Sequence, residues 1–159
     1  MKVQIMTDTW YGNGTKLAEC LGDQFSKESD EIKIADVKEM SPEEIIDDLP
    51  DVLILGGAIR MFRGDPKSKK WLKKLDKLLK NAGKSIQYGT GFLTHGLSSD
   101  KVQGFVKRYL KKIQKCSNIE SKYPELLTAQ VETQKGPIFP EEMEKAKTYV
   151  KDFIQWMNQ

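Results

Sequence analysis

A chain of 159 residues that is 38% apolar and 31% charged is long enough to fill one core, and its composition reads as globular rather than disordered. The longest apolar runs, such as VLIL at 52–55, are far too short to span a bilayer, and MKVQIMTD lacks the apolar core and cleavage site of a signal peptide. Net charge is only +3, yet residues 60–122 hold 17 of the 26 Lys and Arg and just 4 of the 23 Asp and Glu.

Periodicity predicts a short buried strand at 3–6 and a helix at 15–26 with Leu17, Cys20, Leu21 and Phe25 on its inner face. Alternation at 32–37 suits a second strand. SPEEIIDDL then opens a helix, with Ser41 as cap, Pro42 in the first position and Glu44 completing a capping box. VLILGG at 52–57 is a continuous β-branched and leucine run, expected for a central strand buried on both faces. A helix at 66–81 follows, with Trp71, Leu72, Leu75, Leu78 and Leu79 as its apolar stripe and Gly83 as its stop. A modest fourth strand is predicted at 85–88 and a helix at 99–115, with Val102, Phe105, Val106, Tyr109, Leu110 and Ile113 inward. A fifth strand is expected at 126–131. Pro140, Glu141 and Glu142 begin a last helix that turns Met143, Ala146, Val150, Phe153 and Ile154 inward. No linker or repeat divides the chain, so residues 1–159 are expected to form one domain.

Five strands alternating with helices imply right-handed crossovers and a mostly parallel sheet covered on both faces. Such sheets bind ligands beyond the carboxyl ends of their strands. The loops to inspect are therefore 7–14, 57–65 and 89–98, all rich in Gly, Thr and aromatics. The first, TDTWYGNG, runs into a helix whose leading amides lack intrahelical partners and whose dipole is positive, which makes it an anion site. Thr7, Thr9 and Thr15 offer hydroxyls, while Gly12 and Gly14 let successive amides point inward. No Lys or Arg lies in the loop before Lys16, as suits a tightly held phosphate monoester rather than a transferring phosphoryl group. The order Gly14-Thr15-Lys16 does not match the GxxxxGK[ST] nucleotide-hydrolase loop. A GxGxxG dinucleotide fingerprint would need glycine or alanine at Leu17, although Asp36 stands where a ribose-binding acid would.

Asp8-Thr9-Trp10-Tyr11-Gly12-Asn13, followed by Thr15, resembles the phosphate loop of the flavodoxin family in its D-[ST]-x-x-G-N-T form, with Gly14 inserted. LILGGAIRMFRGDP resembles that family's third strand and flavin-flanking loop, and YGTGFLTHG the loop after its fourth strand. GPIFPEEMEKAKTYVKDF is similar to the last helix of its short members. The resemblance implies an α/β fold, a three-layer, doubly wound, five-stranded parallel sheet of order 2-1-3-4-5, with FMN as cofactor. It implies that Thr7, Thr9, Trp10, Tyr11, Gly12, Asn13, Gly14 and Thr15 hold the phosphate end. Ala58, Ile59, Arg60, Met61 and Phe62 would line the ribityl chain and ring, and Thr90, Gly91, Phe92 and His95 the ring's other side.

A flat ring needs aromatic or apolar walls, for which Trp10, Tyr11, Phe62 and Phe92 are candidates. Gly57 has the freedom for a backbone flip beside the ring. Arg60 is expected either to meet a flavin carbonyl or to face solvent. His95, the only histidine, is expected in an exposed loop. Cys20 sits at core spacing, and Cys116 follows a basic helix, where exposure is expected. Without CxxC spacing, neither a disulfide nor a metal site is expected, and a reducing cytoplasm is the default.

The implied function is an electron carrier between redox partner proteins, with no catalytic residue of its own. The alternative is a flavin-dependent oxidoreductase acting on a quinone or protoporphyrinogen, since GAIRMFRG also resembles the protoporphyrinogen-oxidising branch of this fold. A flavin-free binding module is the lesser alternative. Flavodoxins are commonly acidic, whereas the lysines of 67–84 and 107–115 should merge here into one basic surface. That surface is either solvated or suited to an acidic redox partner or anionic substrate. Nucleic acid is not expected, because the aromatics of these helices lie on their buried stripes.

Overall fold

Strand β1 (Lys2–Thr7) sends Val3 and Ile5 to one face of the sheet and Met6 to the other, and all three are buried. A period of two with apolar residues on both sides is what a central parallel strand requires. A computed structural model describes residues 1–159. It orders the sheet as β2 (Glu31–Asp36), β1, β3 (Val52–Arg60), β5 (Ile86–His95) and β6 (Ile119–Lys122), all parallel. β4 (Arg63–Gly64) folds back antiparallel onto the end of β3, and β7 (Leu127–Gln130) pairs with the upper half of β5. This is the expected 2-1-3-4-5 order, with β4 as a hairpin flap and β6 and β7 as two halves of the outer strand. Between those halves the Tyr123 amide donates to Gly89 O at 3.0 Å, and Thr90 Oγ1 donates to Glu125 O at 3.3 Å.

The fourth strand is longer than predicted. It runs on to His95, so most of the expected loop 89–98 is sheet. Its glycines imitate loop composition, but close packing requires them. A Cβ on Gly91 would stand 2.5 Å from Leu55 O and 2.6 Å from Ile113 Cδ1, and one on Gly89 would stand 2.8 Å from Ile119 Cγ2. The first half of the outer strand, β6, carries no strong apolar run and is not predicted.

Helices α1 (Asn13–Phe25) and α5 (Pro140–Met157) cover one face, where Leu17, Leu21, Phe25, Val150 and Phe153 meet Val3, Ile5, Val52, Ile54 and Phe92. Ile45 of α2 (Pro42–Asp47), Trp71, Leu72, Leu75 and Leu79 of α3 (Pro66–Ala82) and Tyr109 and Ile113 of α4 (Gln103–Gln114) cover the other, against Met6, Leu53 and Leu55. Each such fully buried side chain contributes about 1.5–3 kcal/mol. The capping box of α2 forms, the Ser41 amide donating to Glu44 Oε2 at 2.7 Å, and Gly83 closes α3 at φ 64°. Cys116, expected at the surface, is buried against the α3–α4 core. No helix is long and apolar enough to cross a membrane.

Candidate functional site

The carboxyl ends of β1, β3 and β5 open into a cavity of ≈ 340 Å³. Thr9, Trp10, Tyr11 and Asn13 form one wall, residues 58–62 a second, Thr94, His95, Gly96 and Leu97 a third, and Val131 and Gln134 close the end. Trp10, Tyr11, Met61 and Phe62 are the large apolar side chains the protein leaves exposed, and all four stand on this rim.

The first wall is an internally satisfied turn. Gly12 takes φ 86°, and the Thr9 hydroxyl accepts the amides of Gly12 at 3.0 Å and Gly14 at 3.4 Å. A Cβ on Gly12 would meet nothing within 4 Å, so open space lies above the first turn of α1. A Cβ on Gly14 would strike Thr7 Oγ1, so the inserted glycine admits the Thr7 side chain beneath the helix end. Thr7 is buried there and its Oγ1 has no hydrogen-bond partner. Asn13 is buried against Gly136. Thr15 is half-buried in the first turn. A lysine does reach this loop, from elsewhere in the chain: Lys38 Nζ donates to Thr9 O at 3.0 Å and to Asp8 Oδ1 at 2.9 Å. Asp36, weighed as a ribose ligand, is engaged with the amides of Thr9 and Lys38.

The second wall is a hairpin tip with Met61 at φ 50° and Phe62 at φ 59°, joining β3 to β4. Two positive φ values suit the twist of a tight hairpin but strain side chains other than Gly, Asn and Asp. Beneath the tip, Arg60 is held rather than solvated. Its Nη1 donates to Asp8 Oδ2 at 3.1 Å and Asp65 Oδ1 at 3.0 Å, its Nη2 donates to Asp8 O at 2.8 Å, and its guanidinium stacks 4.4 Å from the Trp10 ring centroid.

Asp65 caps α3 through the Ser68 amide (3.2 Å) and also accepts the Ser68 hydroxyl, which lies 2.8 Å from Tyr109 OH. Burial, followed by the neighbouring Asp8 carboxyl, pushes Asp65 up to about 7. Burial would raise Asp8 as well, but hydrogen bonds from Asp65, Lys38 and Arg60 outweigh it and hold that carboxyl below its ordinary value. Gly57 lies directly against Asp65, where a Cβ would come within 2.6 Å of the carboxyl carbon. Two buried carboxylates, an arginine and a lysine thus fix the hairpin's root.

The third wall differs from expectation. His95 is 2% exposed; it ends β5 with Nδ1 2.7 Å from Leu97 O and Nε2 unpartnered, and burial holds it below its ordinary pKa. Thr90, Gly91 and Phe92 lie within β5 and do not line the cavity. Phe92 is buried over Gly56, whose missing side chain makes room for the ring, and Thr90 meets Tyr149 in the core. The structure therefore brings together Thr9, Trp10, Tyr11, Asn13, residues 58–62 and His95, and adds Thr94, Gly96, Leu97, Val131 and Gln134, which the sequence reading misses.

Compared with protein-family models and with curated proteins, the sequence matches none. Solved structures do match. Oxidised flavodoxin 2 from Bacillus cereus superposes with a TM-score of 0.72 over 98% of this chain and 99% of its own, at 16% identity. The fold is that of the flavodoxins. A flavodoxin from the domain Archaea matches over 100% of both chains at 12% identity and a TM-score of 0.64. Rubredoxin oxygen:oxidoreductase from Desulfovibrio gigas matches 94% of this chain at 17% identity and a TM-score of 0.70, and there this flavodoxin-like chain spans only 34% of the other protein's length.

Proposed function

We propose that this protein binds FMN in the first cavity and carries electrons between redox partner proteins in a reducing cytoplasm, working as a single domain. The observation that carries the reading is the coincidence of an anion cradle and an apolar slot at the carboxyl ends of β1, β3 and β5 in a flavodoxin-like fold.

The residues present fit the group. Open space lies over Gly12, the α1 amides of Asn13 and Thr15 have no intrahelical acceptor, and the Thr9 and Thr15 hydroxyls stand beside them. Trp10, Tyr11, Met61 and Phe62 would enclose a planar ring from the rim, with Ala58 and Ile59 along the inner edge. When bound, FMN supplies one- and two-electron chemistry. Around it, the exposed apolar rim excludes water from the cleft on docking, and Arg60 keeps Trp10 upright. His95, with Nδ1–H directed at Leu97 O, stays neutral at physiological pH. The basic surface of α3 and α4 then suits partners with an acidic docking face.

The test is the visible spectrum of the purified protein, with FMN added if it is colourless. Bands near ~450 and ~375 nm with quenched flavin fluorescence are expected. Unchanged fluorescence of added FMN removes the reading. A substrate-converting flavoenzyme is the second reading, favoured by another cavity beside the first. Reductive titration separates the two: a carrier takes up electrons singly, whereas such an enzyme takes them in pairs and turns over a substrate.

A further inference from the structure

A second cavity, also ≈ 340 Å³, is lined by residues of the hairpin and of the start of α3. The two cavities share Trp10, Ala58, Arg60 and Met61, so they adjoin. Their chemistry differs. The second adds Arg63, Lys67 and Lys70 to its lining, together with Asp8 and Asp65. Both carboxylates are already answered, Asp8 by Arg60 and Lys38 and Asp65 by Arg60. Arg63, Lys67 and Lys70 belong to no ion pair.

Positive charge is in excess here. Neighbouring Lys69 is held below its ordinary pKa by burial first, then by the charges of Lys112 and Arg108, with Arg63 adding to them. Lysines that are only solvated need no concave surface between them, whereas these converge on apolar walls of Trp10, Ala58, Met61 and Pro66. Apolar walls with a few charges of one sign are the ordinary means of holding a small amphipathic anion.

We infer that this second cavity binds a small organic anion, its apolar body against Trp10 and Met61 and its carboxylate or phosphate group held by Arg63, Lys67 and Lys70. The site does not depend on FMN filling the first cavity. When FMN is bound there, the anion lies beside it.

The probe is 2-naphthoate, titrated calorimetrically into the full-length protein with and without FMN, with the neutral isostere 2-naphthamide as control. Binding of the naphthoate alone is expected, undiminished by FMN. In the triple variant Arg63→Gln, Lys67→Gln, Lys70→Gln it should weaken about tenfold, the sum of three partly exposed charge contacts. The three side chains are exposed, so melting temperature and FMN uptake of the variant should match those of the parent. Equal binding of the amide, or of naphthoate by the triple variant, overturns the inference, as does no binding at all. Competition between FMN and naphthoate also overturns it by placing the probe in the first cavity. Tighter charge-dependent capture of a polyglutamate peptide replaces it with an acidic protein surface. Failure of FMN to bind, with naphthoate still bound and sensitive to the triple substitution, removes the carrier reading and leaves this one standing.

Discussion

The two principal walls of the cleft are made by opposite means. The turn at 8–12 is relaxed: glycine occupies its one left-handed position, and the Thr9 hydroxyl answers the nearest amides. The hairpin at 60–65 is strained: Met61 and Phe62 both take positive φ, and its root holds two buried carboxylates. Each such backbone position costs on the order of 1–3 kcal/mol and persists only where the surroundings over-determine it. Here that role falls to the Arg60 network and to α3. The first wall is thus stable in itself, while the hairpin wall is held in place from below.

Removing the support should have the largest effect. Arg60→Met leaves Asp8 and Asp65 without their shared cation and should cost about 3–5 kcal/mol in urea unfolding. A loss under about 1 kcal/mol would show that the hairpin holds itself and that the contrast is false.

Gly14→Ala attacks the relaxed wall, where the new methyl meets Thr7 Oγ1 and lies 3.3 Å from Thr9 Cβ. A cost of about 1–3 kcal/mol is expected, together with loss of FMN quenching. Retained quenching would mean that the cradle does not depend on its packing.

A pH titration isolates the buried acid. Asp65 titrates at about 7 in the fold and near 3.8 when unfolded. Between those values the folded protein keeps a proton that the unfolded chain has lost, so the Asp65 contribution falls as pH rises through this window. The slope is at most ~1.4 kcal/mol per pH unit. His95 acts in the opposite sense: its folded pKa lies below 6.5, so its contribution is lost as pH falls. Subtracting the stability of Asp65→Asn from that of the parent removes the histidine and should leave a difference that declines from about pH 4 to pH 7 and then levels. A flat difference would show that Asp65 is ionised throughout.

The smallest effect, and the sharpest for the comparison, is a gain. Met61→Asn with Phe62→Gly supplies the turn that the backbone already adopts, and should stabilise the protein by about 1 kcal/mol while weakening FMN binding. Greater stability with unchanged affinity would mean that the strained tip plays no part in the slot.

The parallel sheet was legible because strands alternating with helices imply parallel crossovers, its order was legible only through the resemblance of three loops to a known family, and capping signals such as Ser41 with Glu44 mark helix starts plainly. The hairpin was not. Met-Phe is no turn signal, and its geometry comes from Arg60, Asp8, Lys38 and Asp65, four residues scattered over nearly sixty positions of chain. Gly89 and Gly91 misled in the other direction, reading as loop where close packing demands glycine within a strand. That strand carries Phe92 into the core and buries His95. The turn at 8–12 was legible because Thr9, Gly12 and the start of α1 adjoin in sequence. The distant lining from Val131 and Gln134 depends on how the chain after β7 returns over the cleft, and no local pattern encodes it.

The broken outer strand has a consequence for behaviour at high concentration. The outer strand is broken into β6 and β7, four residues each, with residues 123–126 between them, and the Gln130 amide and carbonyl at the end of β7 are bonded by Glu142 and Phe139. A foreign strand attempting to dock there loses register halfway, so this flank resists edge-to-edge aggregation. On this side of the molecule, self-association in a concentrated sample should therefore begin at the exposed Met61 and Phe62 tip, where detergent or a bound partner, rather than a sheet-breaking mutation, is the remedy.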